Sequence, residues 1–250
     1  MKGDQATILQ EKIGSVLVLR LNRPAERNAM SAELVDRLIT ILGDLDHDPE
    51  IGAVVLAGVG KGFCAGSDLG GLARMTSADR ARFETDSGRA ARMLAHVSKP
   101  VIAAVHGFAI GGGLTLATSC DIVVTEDACR WSLPEVPIGL FPAWGIGSVI
   151  QRVGLSKAKR LCWGIDTLSG REAAAQGLAD MVADDAVGVA LATADRLCAL
   201  PRAQAMAVKR YFASHAPDEA FDVAANQTFL ETTLTREAGE SFVKYGKLDQ

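Results

Sequence analysis

The stretch Pro100-Val101-Ile102-Ala103-Ala104-Val105-His106-Gly107-Phe108-Ala109-Ile110-Gly111-Gly112-Gly113-Leu114-Thr115 decides the reading of this chain. Proline ends whatever precedes it. Residues 101–105 are then an uncharged apolar run of strand length, as expected of a strand covered on both faces. A glycine-rich turn follows and leads into a short helix near 114–119. Three successive glycines before a helix leave backbone N–H groups pointing into the loop, at the positive end of the helix dipole. Such a place suits an anion, either a phosphate or a transient enolate oxygen. It matches neither the dinucleotide pattern G-x-G-x-x-G nor the P-loop G-x-x-x-x-G-K-[ST], which weakens the phosphate reading.

The same grammar extends to both sides. Residues 7–21 read as two strands around a turn at 12–15, and in 16–21 every residue but Arg20 is apolar. Ser31 caps a helix whose apolar positions Leu34, Val35, Leu38, Ile41, Leu42 and Leu45 recur at three-to-four spacing. Residues 53–57 are a short buried strand, 58–71 a loop with six glycines, 77–97 a polar helix, and 121–125 another strand. Alternating strands and helices argue an α/β fold with helices covering a sheet. After about residue 140 helices dominate, at 144–153, 156–164 and 169–176, the last opened by the capping box Ser169-x-x-Glu172 and closed at Gly177. A strand at 178–182 precedes helices at 186–200, 203–214, 217–234 and 236–245. The expected division is an α/β core over 1–185 and a helical region over 186–250.

Of the 250 residues, 48% are apolar and 22% charged, which excludes disordered, collagen-like and coiled-coil classes. No apolar run is long enough to span a bilayer. The first residues carry neither an apolar signal core nor an arginine-rich amphipathic stretch, so a cytoplasmic chain is expected. The net charge of −4, with lysine and arginine scattered, offers no basic stripe for nucleic acid. Five cysteines without a C-x-x-C pair read as buried small hydrophobes, and four histidines show no metal-ligand spacing, so no metal is expected.

Two further stretches carry chemistry. Gly62-Phe63-Cys64-Ala65-Gly66-Ser67-Asp68-Leu69 follows a strand, where α/β sheets bind ligands, and its glycines let backbone N–H groups approach one closely. The alternative is a plain tight connection. Ser67 does not fit a nucleophile elbow, because residue 65 is alanine where G-x-S-x-G requires glycine. In Leu133-Pro134-Glu135-Val136-Pro137-Ile138-Gly139-Leu140, one acid sits between two prolines in apolar surroundings that would raise its pKa and suit it to carrying protons. The alternative is an exposed loop glutamate.

Together these stretches resemble the crotonase, or enoyl-CoA hydratase/isomerase, family. The resemblance begins at Leu21-Asn22-Arg23-Pro24 and Asn28-Ala29-Met30-Ser31. It passes through 63–69, 99–107, the triple glycine, Cys120-Asp121-Ile122, Pro134-Glu135 with Gly139, and Gly154-Leu155-Ser156-Lys157-Ala158. It reaches Glu237 and Phe242, covering nearly the whole chain. It implies a spiral of ββα units with a helical C-terminal trimerisation region, and a homo-trimer or dimer of trimers. It implies an acyl-CoA substrate and no cofactor beyond the coenzyme A that the substrate carries. Carried over residue by residue, the backbone N–H groups of Ser67 and Gly112 would hold the thioester oxygen as the enolate forms. Gly66 and Gly111 belong to the same two loops. Ala65 and Leu69 would lie along the pantetheine and adenine, Arg27 would border the nucleotide, and Lys247 would reach a CoA phosphate from a neighbouring subunit. Phe141 and Trp144 either line the acyl pocket or pack a helix. The stretch 70–82 resembles the family's mobile flap, with Gly70-Gly71 as hinge.

The chain departs from the family at Thr115. Hydratases of the family usually carry a glutamate there and a second one at the position of Glu135. A threonine hydroxyl orients water but accepts no proton at neutral pH, whereas moving a double bond needs only one base. A single-glutamate site therefore favours double-bond isomerisation over efficient hydration. A weak hydratase, another enolate reaction such as decarboxylation or thioester cleavage, and a non-catalytic acyl-CoA-binding homologue remain alternatives. Asp68 is expected to pin its loop and His106 to brace another.

Overall fold

The computed structural model describes residues 6–246. Strands β1 (Ile8–Ile13) and β2 (Val16–Leu21) form a hairpin, and helix α1 (Ala32–Leu45) leads to β3 (Ala53–Gly58). Helices α2 (Leu69–Arg74) and α3 (Ser77–His96) precede β4 (Val101–Val105), β5 (Phe108–Ile110) and α4 (Gly112–Thr118). Then come β6 (Ile122–Glu126), β7 (Arg130–Ser132), a 3-10 turn at Val136–Ile138, α5 (Ile146–Cys162), β8 (Thr167–Leu168), α6 (Gly170–Gln176) and β9 (Met181–Ala183). Four helices follow: α7 (Ala186–Cys198), α8 (Arg202–Ala213), α9 (Glu219–Thr232) and α10 (Arg236–Gly246).

The larger sheet has the order β1-β2-β3-β4-β6-β9, antiparallel only at the first pair. A second sheet runs β5-β7-β8. The chain repeatedly leaves the large sheet, adds a strand to the small one and returns through a helix, as in β4-β5-α4. The single bridge Cys64↔Ala109 sets the loop after β3 beside β5, giving the small sheet a further rung. This is the repeated ββα turn that the sequence resemblance implies.

Strands β3 and β4 are buried at every residue because the sheet is covered on both faces. Leu19, Leu21, Val54, Leu56, Val101, Ala103 and Val105 face α1 and α3 in the main core. Val16, Val18, Ala53, Val55, Ala57, Ile102 and Ala104 face Ala186, Ala190 and Ala194 of α7. Alternate residues of each strand thus serve opposite cores, the period of two made visible. The stretch from residue 186, read as a helical oligomerisation region, supplies this chain's own core with α7 and with Phe229, Ala238 and Phe242.

Helix α1 buries the six apolar residues picked out by spacing, and the Ser31 hydroxyl accepts the Leu34 N–H at 3.2 Å. Both bonds of the Ser169/Glu172 capping box form. The helices expected at 144–153 and 156–164 join as α5, kinked where Gly154 takes φ +76°. Three features differ from expectation. Strands β5, β7 and β8 are two or three residues long, too short to show a period. The segment 69–74 is helix α2, with Gly70 and Gly71 in its first turn and the Asp68 carboxylate capping it through Gly71 N–H at 3.0 Å, rather than a hinge. Strand β9 lies at 181–183 instead of 178–182.

Gly107 turns the chain from one sheet to the other with φ +61°, and a Cβ there would overlap the Lys61 carbonyl oxygen. Gly107→Ala is therefore expected to cost about 2 kcal/mol or more, since both backbone strain and a backbone clash oppose it. Denaturant unfolding of the variant checks this; an unchanged midpoint would contradict the crossing.

Candidate active site

The loop after β3 is held from two sides. On one side Asn28, buried with φ +57°, donates through Nδ2 to the carbonyls of Val59 and Gly62, both at 2.9 Å. Met30 N–H donates to Gly66 O at 2.8 Å, and Asp68 N–H to Met30 O at 3.0 Å. Arg23 reaches Asp68 Oδ2 at 3.0 Å, so Asp68 pins the loop while capping α2. On the other side Phe63 N–H donates to Phe108 O at 3.1 Å and Ile110 N–H to Cys64 O at 3.0 Å. His106 Nε2 lies 3.0 Å from Gly60 O, the bracing contact expected of it.

This pairing brings two glycine corners together. Gly66 has φ +92°, and a Cβ on it would lie 2.9 Å from Ile110 O and 3.1 Å from Gly112 N. Only glycine permits that approach. Gly111 turns with φ +56° and donates to Ser132 O at 2.8 Å, so the small sheet fixes the start of α4. Among the described residues, neither Ser67 N–H nor Gly112 N–H has a protein acceptor. Both residues line the same narrow cavity, of about 80 Å³.

Glu135 enters that cavity from the turn after β7. Its carbonyl accepts from Ile138 N–H at 3.1 Å and Leu140 N–H at 2.9 Å, which ties down the backbone. Its Oε1 sits against the Cα of Gly111, 2.5 Å from where a Cβ would stand. Its Oε2 is buried without a hydrogen-bond partner. The residue as a whole is half-buried, but its carboxyl is enclosed, and desolvation raises its pKa to about 7.

Most of the residues singled out from sequence converge here. Ala65, Gly66, Ser67 and Leu69 line the cavity from the first loop, and Gly111, Gly112 and Thr115 from the second. Pro134, Glu135, Phe141 and Trp144 complete it. Trp144, 4% exposed, lays its ring on the Cα of Gly112. Thr115 is buried, and its hydroxyl donates to Gly112 O at 3.1 Å, so it is committed to its own helix.

Three residues are not brought in. Gly139 closes the 3-10 turn with φ +76° and packs on Glu237 of α10, so an expected substrate contact is instead a turn residue. Arg27 is exposed outside the cavity, its guanidinium 4.6 Å from the Phe108 ring centre, and touches the site only by accepting Ala65 N–H at 3.1 Å. Lys247 lies outside the described residues.

One titratable residue of the cavity was missed. Glu84 of α3 lines the cavity at 2% exposure, and burial, then the charge of Glu135, push its pKa up to about 8. No motif marks it; within a polar helix its spacing looks like that of any surface acid. A larger, open cleft of about 440 Å³ between α5 and α8 has its charges paired internally, Lys209 with Asp121 at 2.5 Å and Arg152 with Asp180 at 3.1 Å. Among the described residues its three carboxylates, Asp121, Asp180 and Asp222, are all ion-paired, unlike the Glu135 carboxyl of the smaller cavity.

The sequence model of the enoyl-CoA hydratase/isomerase family matches residues 11–247. The chain belongs to this family. A probable enoyl-CoA hydratase of Mycobacterium bovis is 34% identical over 227 residues, 90% of this chain and 86% of that one. A short-chain-enoyl-CoA hydratase of Clostridium acetobutylicum is 35% identical over 71% of this chain and 69% of its own. The crystal structure of an enoyl-CoA hydratase/isomerase from Mycobacterium paratuberculosis superposes with a TM-score of 0.90 at 29% identity, covering 96% of this chain and 98% of that one. In this crotonase-family chain the two glycine loops, Thr115 and Glu135 line one cavity.

Glu84 and Glu135 both titrate above the ordinary carboxylate range, so in that interval the folded chain binds more protons than the unfolded one. Their contribution to stability is whole below about pH 4 and is lost as the pH climbs through about 7 for Glu135 and about 8 for Glu84. Glu84→Gln should melt several degrees above the parent at pH 9, with the gap narrowing as the pH approaches 5. A thermal-shift series across that range checks it; a constant gap would mean that the Glu84 carboxyl is not desolvated.

Proposed function

We propose that this crotonase-family chain is an enoyl-CoA isomerase, working through an enolate with Glu135 as its proton carrier. The observation that carries the reading is the unpaired Glu135 carboxyl, enclosed against Gly111 beside the two acceptor-free amides of Ser67 and Gly112. With a 3-enoyl-CoA, ionised Glu135 removes a proton from C2, next to the thioester. The negative charge moves onto the thioester oxygen, where the two N–H groups receive it; one such donor is worth about 3–4 kcal/mol in a water-excluded site. Glu135, now neutral, returns the proton to C4, and the double bond ends between C2 and C3. The reaction draws on no cofactor, since the coenzyme A arrives with the substrate.

Isomerisation is favoured over hydration by what occupies the place of the usual second glutamate. The Thr115 hydroxyl is taken by Gly112 O, and the Trp144 indole covers Gly112, so position 115 supplies no proton carrier and little space is left beside it for an attacking water. The relatives carry hydratase names, and the reading departs from them at this point. A homo-trimer or dimer of trimers goes with it, supported by the exposed apolar side chains Val208, Tyr211 and Phe212 on α8. A cytoplasmic location goes with it as well, supported by five free cysteines. Light scattering at three or six chain masses is the expected solution result.

Glu135→Gln should lower turnover of a 3-enoyl-CoA about 10²–10⁴-fold while leaving acyl-CoA binding in place, the usual scale for losing a positioned base. The base must be ionised, so kcat/KM should rise with pH through about 7 and level off above it. Incubation with 3-enoyl- and 2-enoyl-CoA in deuterated water reads the reaction directly. Exchange at carbon without added water is the expected result, and rapid formation of the 3-hydroxyacyl product would overturn the preference for isomerisation.

A further inference from the structure

Glu84 takes no part in the chemistry above, yet it is the least expected group in the cavity. It is 2% exposed, lines the cavity and forms no ion pair among the described residues. Buried polar groups are almost always partnered, and one left without a partner is destabilising. Nearby charges do not serve it. Asp222 and Arg92, close to Gly88 one turn further along α3, are paired with each other. The cavity it lines has a largely apolar wall, with Leu69, Leu72, Ile138, Leu140 and Phe229 in it. If this wall met only alkyl chains, another leucine would cost nothing.

Ser67 reaches the cavity from the loop after β3, Gly112 from the first turn of α4 and Glu135 from the turn after β7, whereas Glu84, Leu72 and Phe229 reach it from helices α3, α2 and α9. Resting on the acyl-CoA reading, we infer that Glu84 is a specificity residue that hydrogen-bonds an oxygen on the substrate's acyl chain, a hydroxyl or a carbonyl, beyond the thioester. Burial and the neighbouring charge of Glu135 favour its neutral form, which offers one O–H donor and one carbonyl acceptor. A hydroxyl engages both and a ketone engages the donor. A plain alkyl chain leaves the group unpaired. Sites built on such a bond reject analogues lacking it far more strongly than apolar pockets reject an added methylene.

The test is equilibrium binding of non-reactive saturated thioesters. Butanoyl-, hexanoyl- and octanoyl-CoA are each compared with the ω-hydroxy counterpart, on the parent, Glu84→Leu and Glu84→Gln. In at least one pair the parent should bind the hydroxylated member about tenfold or more tightly, the scale of one buried hydrogen bond. Glu84→Leu should lose or reverse that preference, and Glu84→Gln, which keeps a donor and an acceptor, should retain part of it. Binding without discrimination in every pair, or the same discrimination in Glu84→Leu, would overturn the inference and leave the acyl-CoA reading standing. Binding of neither member of any pair would remove both. A loss of 3-enoyl-CoA turnover in Glu84→Gln as deep as that in Glu135→Gln would make Glu84 a proton carrier, and would equally overturn the specificity role.

Discussion

The close approach of two glycine corners, at Gly66 and at Gly111-Gly112, is the constraint on which the molecule turns. A methyl group at Gly66 would meet Ile110 O and Gly112 N, and one at Gly111 would meet the Glu135 carboxyl. Because no side chain intervenes, two amides from loops far apart in sequence can face one cavity. Neither loop could hold that position alone. The large sheet supplies rigid strand ends, the Cys64–Ala109 bridge sets the register between the loops, and Asn28 and Asp68 fix the outer loop from a third segment. The two-sheet spiral can be read as the scaffold that makes this contact reproducible.

The second organising fact is dielectric rather than geometric. The cavity wall is largely apolar, so the two carboxyls that enter it are driven toward their neutral forms. Such a group is poorly tolerated by the fold and well suited to a site. A carboxyl poised near neutrality can both take and return a proton, and one held neutral can donate a hydrogen bond. The same desolvation thus yields different uses at Glu135 and Glu84, according to what lies beside each.

Much of this was legible in the residues. Strands β3 and β4 announced themselves by unbroken apolar runs, α1 by its spacing, α6 by its capping box, and Glu135 by its prolines. What escaped did so for identifiable reasons. Strands of two or three residues, such as β5 and β8, have no period to detect and exist only because β7 pairs with them. Gly70 and Gly71 suggested a hinge, but Asp68 caps a helix through them and α10 packs against it. Gly139 looked like part of the site because it follows Glu135 closely, yet its positive φ turns it toward Glu237. Glu84 was invisible because a helix face becomes interior only when α9 lies across it, a tertiary event without local signature.

The indole of Trp144 rests on Gly112, at one of the two amides. Trp131 is sealed in the core with its N–H bonded to Thr125, and Trp163 stands largely in solvent. Any molecule filling the cavity beside Trp144 must change the surroundings of one fluorophore while the other two keep theirs. The protein therefore carries a built-in optical gauge of occupancy, and filling of the cavity can be followed by intrinsic emission without attaching a dye.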